Sequence, residues 1–144
     1  MTITTSHDDL ELAKLPLVKI QDVLLARLVA RDEASRMGFS AQAVTQIATA
    51  VSEITRNVVQ HSGAAGQMKL LKVNGDGRVG LRIAVDDTGS GISDLDRTLA
   101  GTAPGAGIPG CRKLMDEFTI RSNPGSGTAV SMLKWLAVID VPRH

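Results

Sequence analysis

Val85-Asp86-Asp87-Thr88-Gly89-Ser90-Gly91-Ile92 opens, and Gly105-Ala106-Gly107-Ile108-Pro109-Gly110 closes, the stretch around which this chain is organised. Six of the fourteen glycines in 144 residues fall between positions 85 and 110, so the backbone there must reach conformations or close approaches that side chains forbid. A carboxylate beside one glycine cluster, and a second cluster at the start of an expected helix, suit a ligand with a hydrogen-bond donor at one end and phosphates at the other. That is the chemistry of a nucleotide.

The segments before this stretch prepare it. Leu81, Ile83 and Val85 alternate with Arg82 and Ala84, a strand that runs over 78–85 and leads straight into Asp86 and Asp87. Asn74-Gly75-Asp76-Gly77 turns it back on a strand over 67–73, forming a hairpin. Further upstream, Val23, Leu24, Ala26, Leu28, Val29, Ala30 and Ala34 recur at helical spacing over 21–37, with Gly38 as the stop. Ser40 caps a second helix that runs to about residue 60. Residues 14–20 read as a short strand, which Pro16 places at a sheet edge or a strand start. Residues 1–14 read as a mobile lead-in, leaving 15–144 as one domain.

Downstream, 92–99 reads as one or two helical turns, 100–104 as a connector, and 108–118 as a helix that tolerates Pro109 in its first turn. A strand over 118–122, the turn Asn123-Pro124-Gly125-Ser126-Gly127 and a strand over 128–138 complete the chain. This order predicts an α+β two-layer sandwich: a mixed, mostly antiparallel sheet with helices packed on one face.

Composition narrows the function. Sixteen Lys plus Arg against fifteen Asp plus Glu give a net charge of +1, and no basic run is present to neutralise nucleic-acid phosphates. No apolar run approaches the roughly 18 residues of a membrane span, and the N-terminus lacks the pattern of a signal peptide. The single Cys111 excludes an internal disulfide framework and points to a reducing compartment, the cytoplasm. The expectation is a soluble protein with neither nucleic acid nor membrane as partner.

The second helix has two faces. Val44, Ile47, Val51, Ile54 and Val58 make an ordinary core stripe. Gln46, Thr49, Glu53, Asn57 and Gln60 make a polar one, on which Glu53 and Asn57 stand one turn apart. Such a stripe is commonly a solvated face. The pair also suits chemistry, because a carboxylate can take a proton from a hydroxyl and an amide oxygen can hold a hard cation. His61 could be a ligand on the same stripe, or simply satisfy the last helix carbonyls.

Three readings of the organising stretch compete. Asp87-Thr88-Gly89-Ser90 matches the catalytic loop of an aspartic protease, but that fold is nearly all strand and two helices precede the motif here. Gly105 to Gly110 matches a dinucleotide fingerprint, but no strand leads directly into it and no βαβ unit follows. The third reading joins the pieces. Glu53-Ile54-Thr55-Arg56-Asn57, Asp87-Thr88-Gly89-Ser90-Gly91, Gly105 to Gly110, and Gly125-Ser126-Gly127-Thr128 resemble, in order and spacing, the four boxes of the GHKL ATPase and kinase superfamily. Within it, residues 15–136 resemble the small bacterial serine/threonine kinases of anti-sigma and stressosome switches.

The resemblance implies a Bergerat-type ATP-binding fold, ATP and Mg²⁺, and a serine or threonine acceptor on a STAS-domain partner. Asp87 would accept a hydrogen bond from the adenine amino group, with Gly89 and Gly91 letting the ring approach and Thr128 completing the contact. Asn57 would bind Mg²⁺, and Gly105, Gly107, Ile108 and Gly110 would bring backbone amides to the phosphates. Glu53 would deprotonate the acceptor hydroxyl. Relative to the family, the segment between Ile92 and Gly105 is short, offers Arg97 as its cation, and has Ala106 and Ile108 where leucines are usual. The alternative function is a nucleotide-gated module that sequesters a sigma factor or regulatory enzyme without phosphorylating it.

Overall fold

The computed structural model describes residues 9–61, 64–75, 77–89, 108–123 and 125–137, with the side chains of His61 and Asn123 excepted. The hairpin is its spine. Strand β2 (Gly66–Gly75) and strand β3 (Arg78–Asp87) pair antiparallel from Gly75 opposite Arg78 down to Gly66 opposite Asp87. Strand β1 (Leu10–Leu17) lies along the outside of β2, while β5 (Gly127–Trp135) pairs with β3 and β4 (Glu117–Asn123) with β5. Among the described residues the order β1-β2-β3-β5-β4 is antiparallel throughout, without the parallel pair that a mixed sheet would contain.

One face of the sheet carries the core. Met68, Leu70, Leu81, Ile83, Val85, Val130 and Met132 alternate onto it, as the period of a strand requires. Helix α1 (Ile20–Met37) and helix α2 (Ala41–His61) cover this side, and the short α3 (Ile108–Leu114) packs beside α2. Val44, Ile47, Val51, Ile54 and Val58 are all buried, as their spacing predicts. So are Ser52 and Thr55, whose hydroxyls donate to the carbonyls of Ala48 (2.9 Å) and Val51 (2.7 Å) and so enter the core without an unpaired donor. The Ser40 hydroxyl accepts from the Ala43 N–H at 3.2 Å, the cap expected at the start of α2.

Several boundaries differ from the sequence pattern. Strand β1 begins at Leu10, inside the segment read as a lead-in; a register shift between Glu11 and Ala13 breaks the alternation that would have revealed it. Residues 1–8 of that lead-in lie outside the described residues. Helix α3 stops at Leu114, short of the expected residue 118. There the Asp116 N–H donates to the Leu133 carbonyl, and Phe118 takes a place opposite Met132. Helix α1 is present as expected, and of its apolar residues Val23, Ala26, Ala30 and Ala34 are buried while Leu24 and Leu28 face outward. The helical turns expected over 92–99 lie outside the described residues.

Candidate functional site

The edge of the sheet where β2 starts and β3 ends brings the expected residues together. Asp87 sits opposite Gly66 on one side and Thr128 on the other, and Ser122 continues the same row on β4. Asp87 is buried, 7 % exposed as a residue, and its Oδ1 accepts from the Gly89 N–H at 2.8 Å. Burial pushes its carboxyl above the ordinary value; the N–H groups of Gly89 and Thr128 pull it down, and Asp86 adds to the rise. Thr128 and Ser122 share a hydrogen bond of 3.0 Å between their hydroxyls.

Two glycines let the chain close this row. A Cβ on Gly66 would stand 2.6 Å from the Asp86 carbonyl oxygen and 2.7 Å from Cγ1 of Val58, so its absence lets the last turns of α2 settle onto the end of β3. Gly127 has φ +96°, and a Cβ there would strike the Asp87 carbonyl. Neither glycine is a ligand-facing position in the sequence reading. Gly66 follows the small pair Ala64-Ala65, a modest sign of close packing; its neighbours Val58 and Asp86 are distant in sequence.

Helix α2 sets the second half of the site. Glu53 and Asn57 are half-buried one turn apart, and Val58 ties this part of α2 to Gly66 and hence to Asp87. The Asn57 amide nitrogen is buried with no hydrogen-bond partner among the described residues. A buried amide left unpaired costs about 1–3 kcal/mol, so its persistence in a packed helix suggests a role beyond packing. Glu53 Oε1 receives Arg56 Nη1 at 3.3 Å, a pair that spacing on the helix makes natural and that both side chains hold about 40 % exposed.

Helix α3 closes on α2 beside Glu53. Cys111 is buried, its Sγ lying 3.6 Å from the Ala50 carbonyl. Burial first and the neighbouring Glu53 second push its thiol up to about 12, so it stays protonated and serves packing instead of nucleophilic chemistry. At the far end, Lys134 on β5 donates to the Leu114 carbonyl at 2.7 Å, placing a cation on the last turn of α3. The Trp135 N–H donates to Asp116 Oδ2 at 2.7 Å and fastens the following turn. Ile108 is 2 % exposed and points into the core, while Gly110 is exposed and a Cβ there would meet none of the described residues within 4 Å. Gly91, Gly105, Gly107 and Arg97 lie outside the described residues.

Comparison with known proteins places this arrangement in a family. Residues 18–134 match the histidine kinase-like ATPase domain, and the chain belongs to that family. It is 37 % identical over 120 residues to the serine/threonine-protein kinase RsbT of Bacillus subtilis (strain 168), covering 80 % of this chain and 90 % of that protein. It is also 29 % identical over 130 residues to the anti-sigma F factor of Thermoanaerobacter sp. (strain X514), covering 83 % of this chain and 90 % of the relative. Among solved structures, the histidine kinase domain from the blue-light activated histidine kinase of Erythrobacter litoralis superposes with a TM-score of 0.53 at 20 % identity. That match covers 91 % of this chain and 65 % of the other, and shows the shared fold. Among the described residues, no helix is long and apolar enough to cross a membrane.

Proposed function

We propose that this protein is an ATP-dependent serine/threonine kinase that phosphorylates a STAS-domain partner in a bacterial sigma-factor switch. The observation that carries the reading is the meeting of Glu53 and Asn57 on α2 with the Asp87–Thr128 row at the sheet end, joined through Val58 and Gly66. The identity to RsbT supports the protein acceptor.

The residues present suit a nucleotide with its metal. Asp87 and Thr128 offer an acceptor and a hydroxyl side by side for the adenine edge, in a row with no room for larger residues at Gly66 and Gly127. Asn57 offers an amide without a partner, and a half-turn of that amide presents its oxygen. A single neutral oxygen suits Mg²⁺, which takes most of its ligands from water and phosphate and, when bound, neutralises charge on the phosphates. Gly89, Gly91, Gly105, Gly107, Ile108 and Gly110 would contribute backbone, Ile108 through its main chain because its side chain is spent on the core.

Glu53 would accept the proton of the acceptor hydroxyl as that oxygen attacks the γ-phosphorus. The bond from the γ-phosphorus to the bridging oxygen breaks, and ADP leaves. Arg56 holds one carboxylate oxygen of Glu53 and orients the other. Incubation with labelled Mg-ATP and a cognate STAS-domain protein tests the proposal; absence of transfer to any serine or threonine rejects it. Sequestration of a sigma factor is the second reading, favoured by the likeness to anti-sigma F factors. It is distinguished by nucleotide-dependent, stoichiometric binding that persists in Glu53→Ala.

Asp87 supplies a pH test with two opposite signs. Its carboxyl is held above the ordinary 3.8 mainly by burial, so lowering pH protonates it earlier than an exposed aspartate. The protonated group is a weaker acceptor for an amino donor, so Mg-ADP affinity should fall as pH drops through the range in which this raised carboxyl takes up its proton. The same protonation relieves a buried charge, so this group's contribution to folding stability should rise on acidification. Calorimetric titration should show this pH slope in the native protein and its loss, with much weaker binding throughout, in Asp87→Asn.

A further inference from the structure

Strand β4 is the far edge of the sheet and carries none of the residues assigned to the nucleotide above, yet one of its side chains joins the row at Asp87. Ser122 stands opposite Thr128 in the β4–β5 register, six positions away in sequence. Their hydroxyls are 3.0 Å apart and either oxygen can be the donor. Both residues are half-buried, so the pair lies at the surface of the site and not beneath it.

The direction of that hydrogen bond decides what the row offers a ligand. Asp87 offers acceptor capacity: its ionised carboxylate takes the N–H groups of Gly89 and Thr128 and has lone pairs to spare. A hydroxyl has one proton and two lone pairs. With the Thr128 proton spent on Ser122, Asp87 and Thr128 both present acceptors alone. With Ser122 donating instead, the Thr128 proton is released, and the row presents an acceptor followed by a donor. In adenine the amino group suited to Asp87 is followed by ring N1, an acceptor; in a 6-oxopurine the same two positions carry an oxygen and an N–H. Adenine therefore matches the arrangement in which Ser122 donates. The backbone cannot make the choice in its place, because Gly127 lies against the Asp87 carbonyl and leaves β5 no room to shift.

We propose that Ser122 is a positioning residue for base recognition: by donating to Thr128 it turns the Thr128 hydroxyl proton toward N1 of adenine and sets a preference over 6-oxopurines. The proposal rests on the nucleotide reading of the Asp87–Thr128 row. Ser122 acts through Thr128 and touches no ligand itself.

The test is calorimetric titration of the full chain with the Mg²⁺ complexes of ADP, IDP and 1-deaza-ADP, in which a C–H replaces N1. Ser122→Ala should weaken ADP about three- to tenfold, the worth of one neutral hydrogen bond, and leave 1-deaza-ADP within about twofold. It should also narrow the preference for ADP over IDP, because an untethered Thr128 hydroxyl can accept from the N–H of IDP. Ser122→Thr, which keeps the hydroxyl, should restore the native pattern. Ser122→Cys, close in size but a weak donor, should behave as Ser122→Ala does and gives the same reading if the alanine variant fails to fold. In a Thr128→Val background Ser122→Ala should have no further effect on ADP. Unchanged ADP affinity in Ser122→Ala, or equal weakening of ADP and 1-deaza-ADP, overturns the proposal and leaves the nucleotide reading standing. Absence of Mg-ADP binding by the native chain overturns both.

Discussion

Glu53→Ala should lower phosphoryl transfer to the partner protein by roughly 10²- to 10⁴-fold, the range a positioned general base supplies, while leaving Mg-ATP affinity within about twofold. The separation follows from where the side chain stands. Glu53 lies on the half-buried polar stripe of α2, held by Arg56 and facing the α3 junction at Cys111, whereas the adenine contacts proposed above belong to the Asp87–Thr128 row of the sheet. Its loss removes an acceptor for the hydroxyl proton and no contact expected to hold the nucleotide. Asn57→Ala should divide the other way, weakening binding chiefly when Mg²⁺ is present, since the unpaired amide is the group suited to the metal. Single-turnover transfer and equilibrium nucleotide titration, measured on both variants, separate these outcomes. Undiminished transfer in Glu53→Ala would remove Glu53 from the chemistry.

Gly127→Ala should be among the most damaging single-methyl changes available to the described residues, costing about 3 kcal/mol or more. Its backbone at φ +96° is in the left-handed region, and the added carbon would press on the Asp87 carbonyl, 3.0 Å from the Asp87 carbonyl carbon and from Cα of Thr88. Relief requires β5 to retreat from β3 at the row that carries Asp87 and Thr128. Gly125 is the internal control: it also has a left-handed backbone, φ +80°, but its Cβ would meet nothing within 4 Å. Gly125→Ala should therefore cost about 1–2 kcal/mol, the backbone term alone, and retain nucleotide binding. Urea denaturation midpoints compare the two; equal losses would show that the crowding at Asp87 is unimportant.

The strand that ends at Asp87 and the two-faced α2 could be read from residues alone because their signals are local. Val44 through Val58 keep one helical period, and Leu81, Ile83 and Val85 keep one strand period, so each face follows from spacing. What escaped depends on partners far along the chain. Periodicity finds α1 but cannot say which of its two apolar stripes is inward, since Ala26, Ala30 and Ala34 recur as regularly as Ile20, Leu24 and Leu28; the close approach of α2 decides it. Gly66 carries no signature of its own, because the atoms that exclude a side chain there belong to Val58, Asp86 and Asp87. The early end of α3 likewise reflects Asp116 and Lys134, which tie it to the far end of β5. The four glycine and acid boxes could be recognised without those partners because each box is itself a short contiguous run.

The strand order β1-β2-β3-β5-β4 also governs when the binding end can come into being. The β2–β3 hairpin closes through a tight turn and can form within microseconds, but Asp87 meets Thr128 only across about forty intervening residues, a loop whose closure is entropically costly. The Asp87–Thr128 row, the proposed adenine site, is thus completed only once β5 has docked in the sheet. A chain ending before β5 could keep its hairpin and still capture no ATP, and in the full chain nucleotide would select molecules that have finished folding, so that ligand capture doubles as a readout of completed assembly.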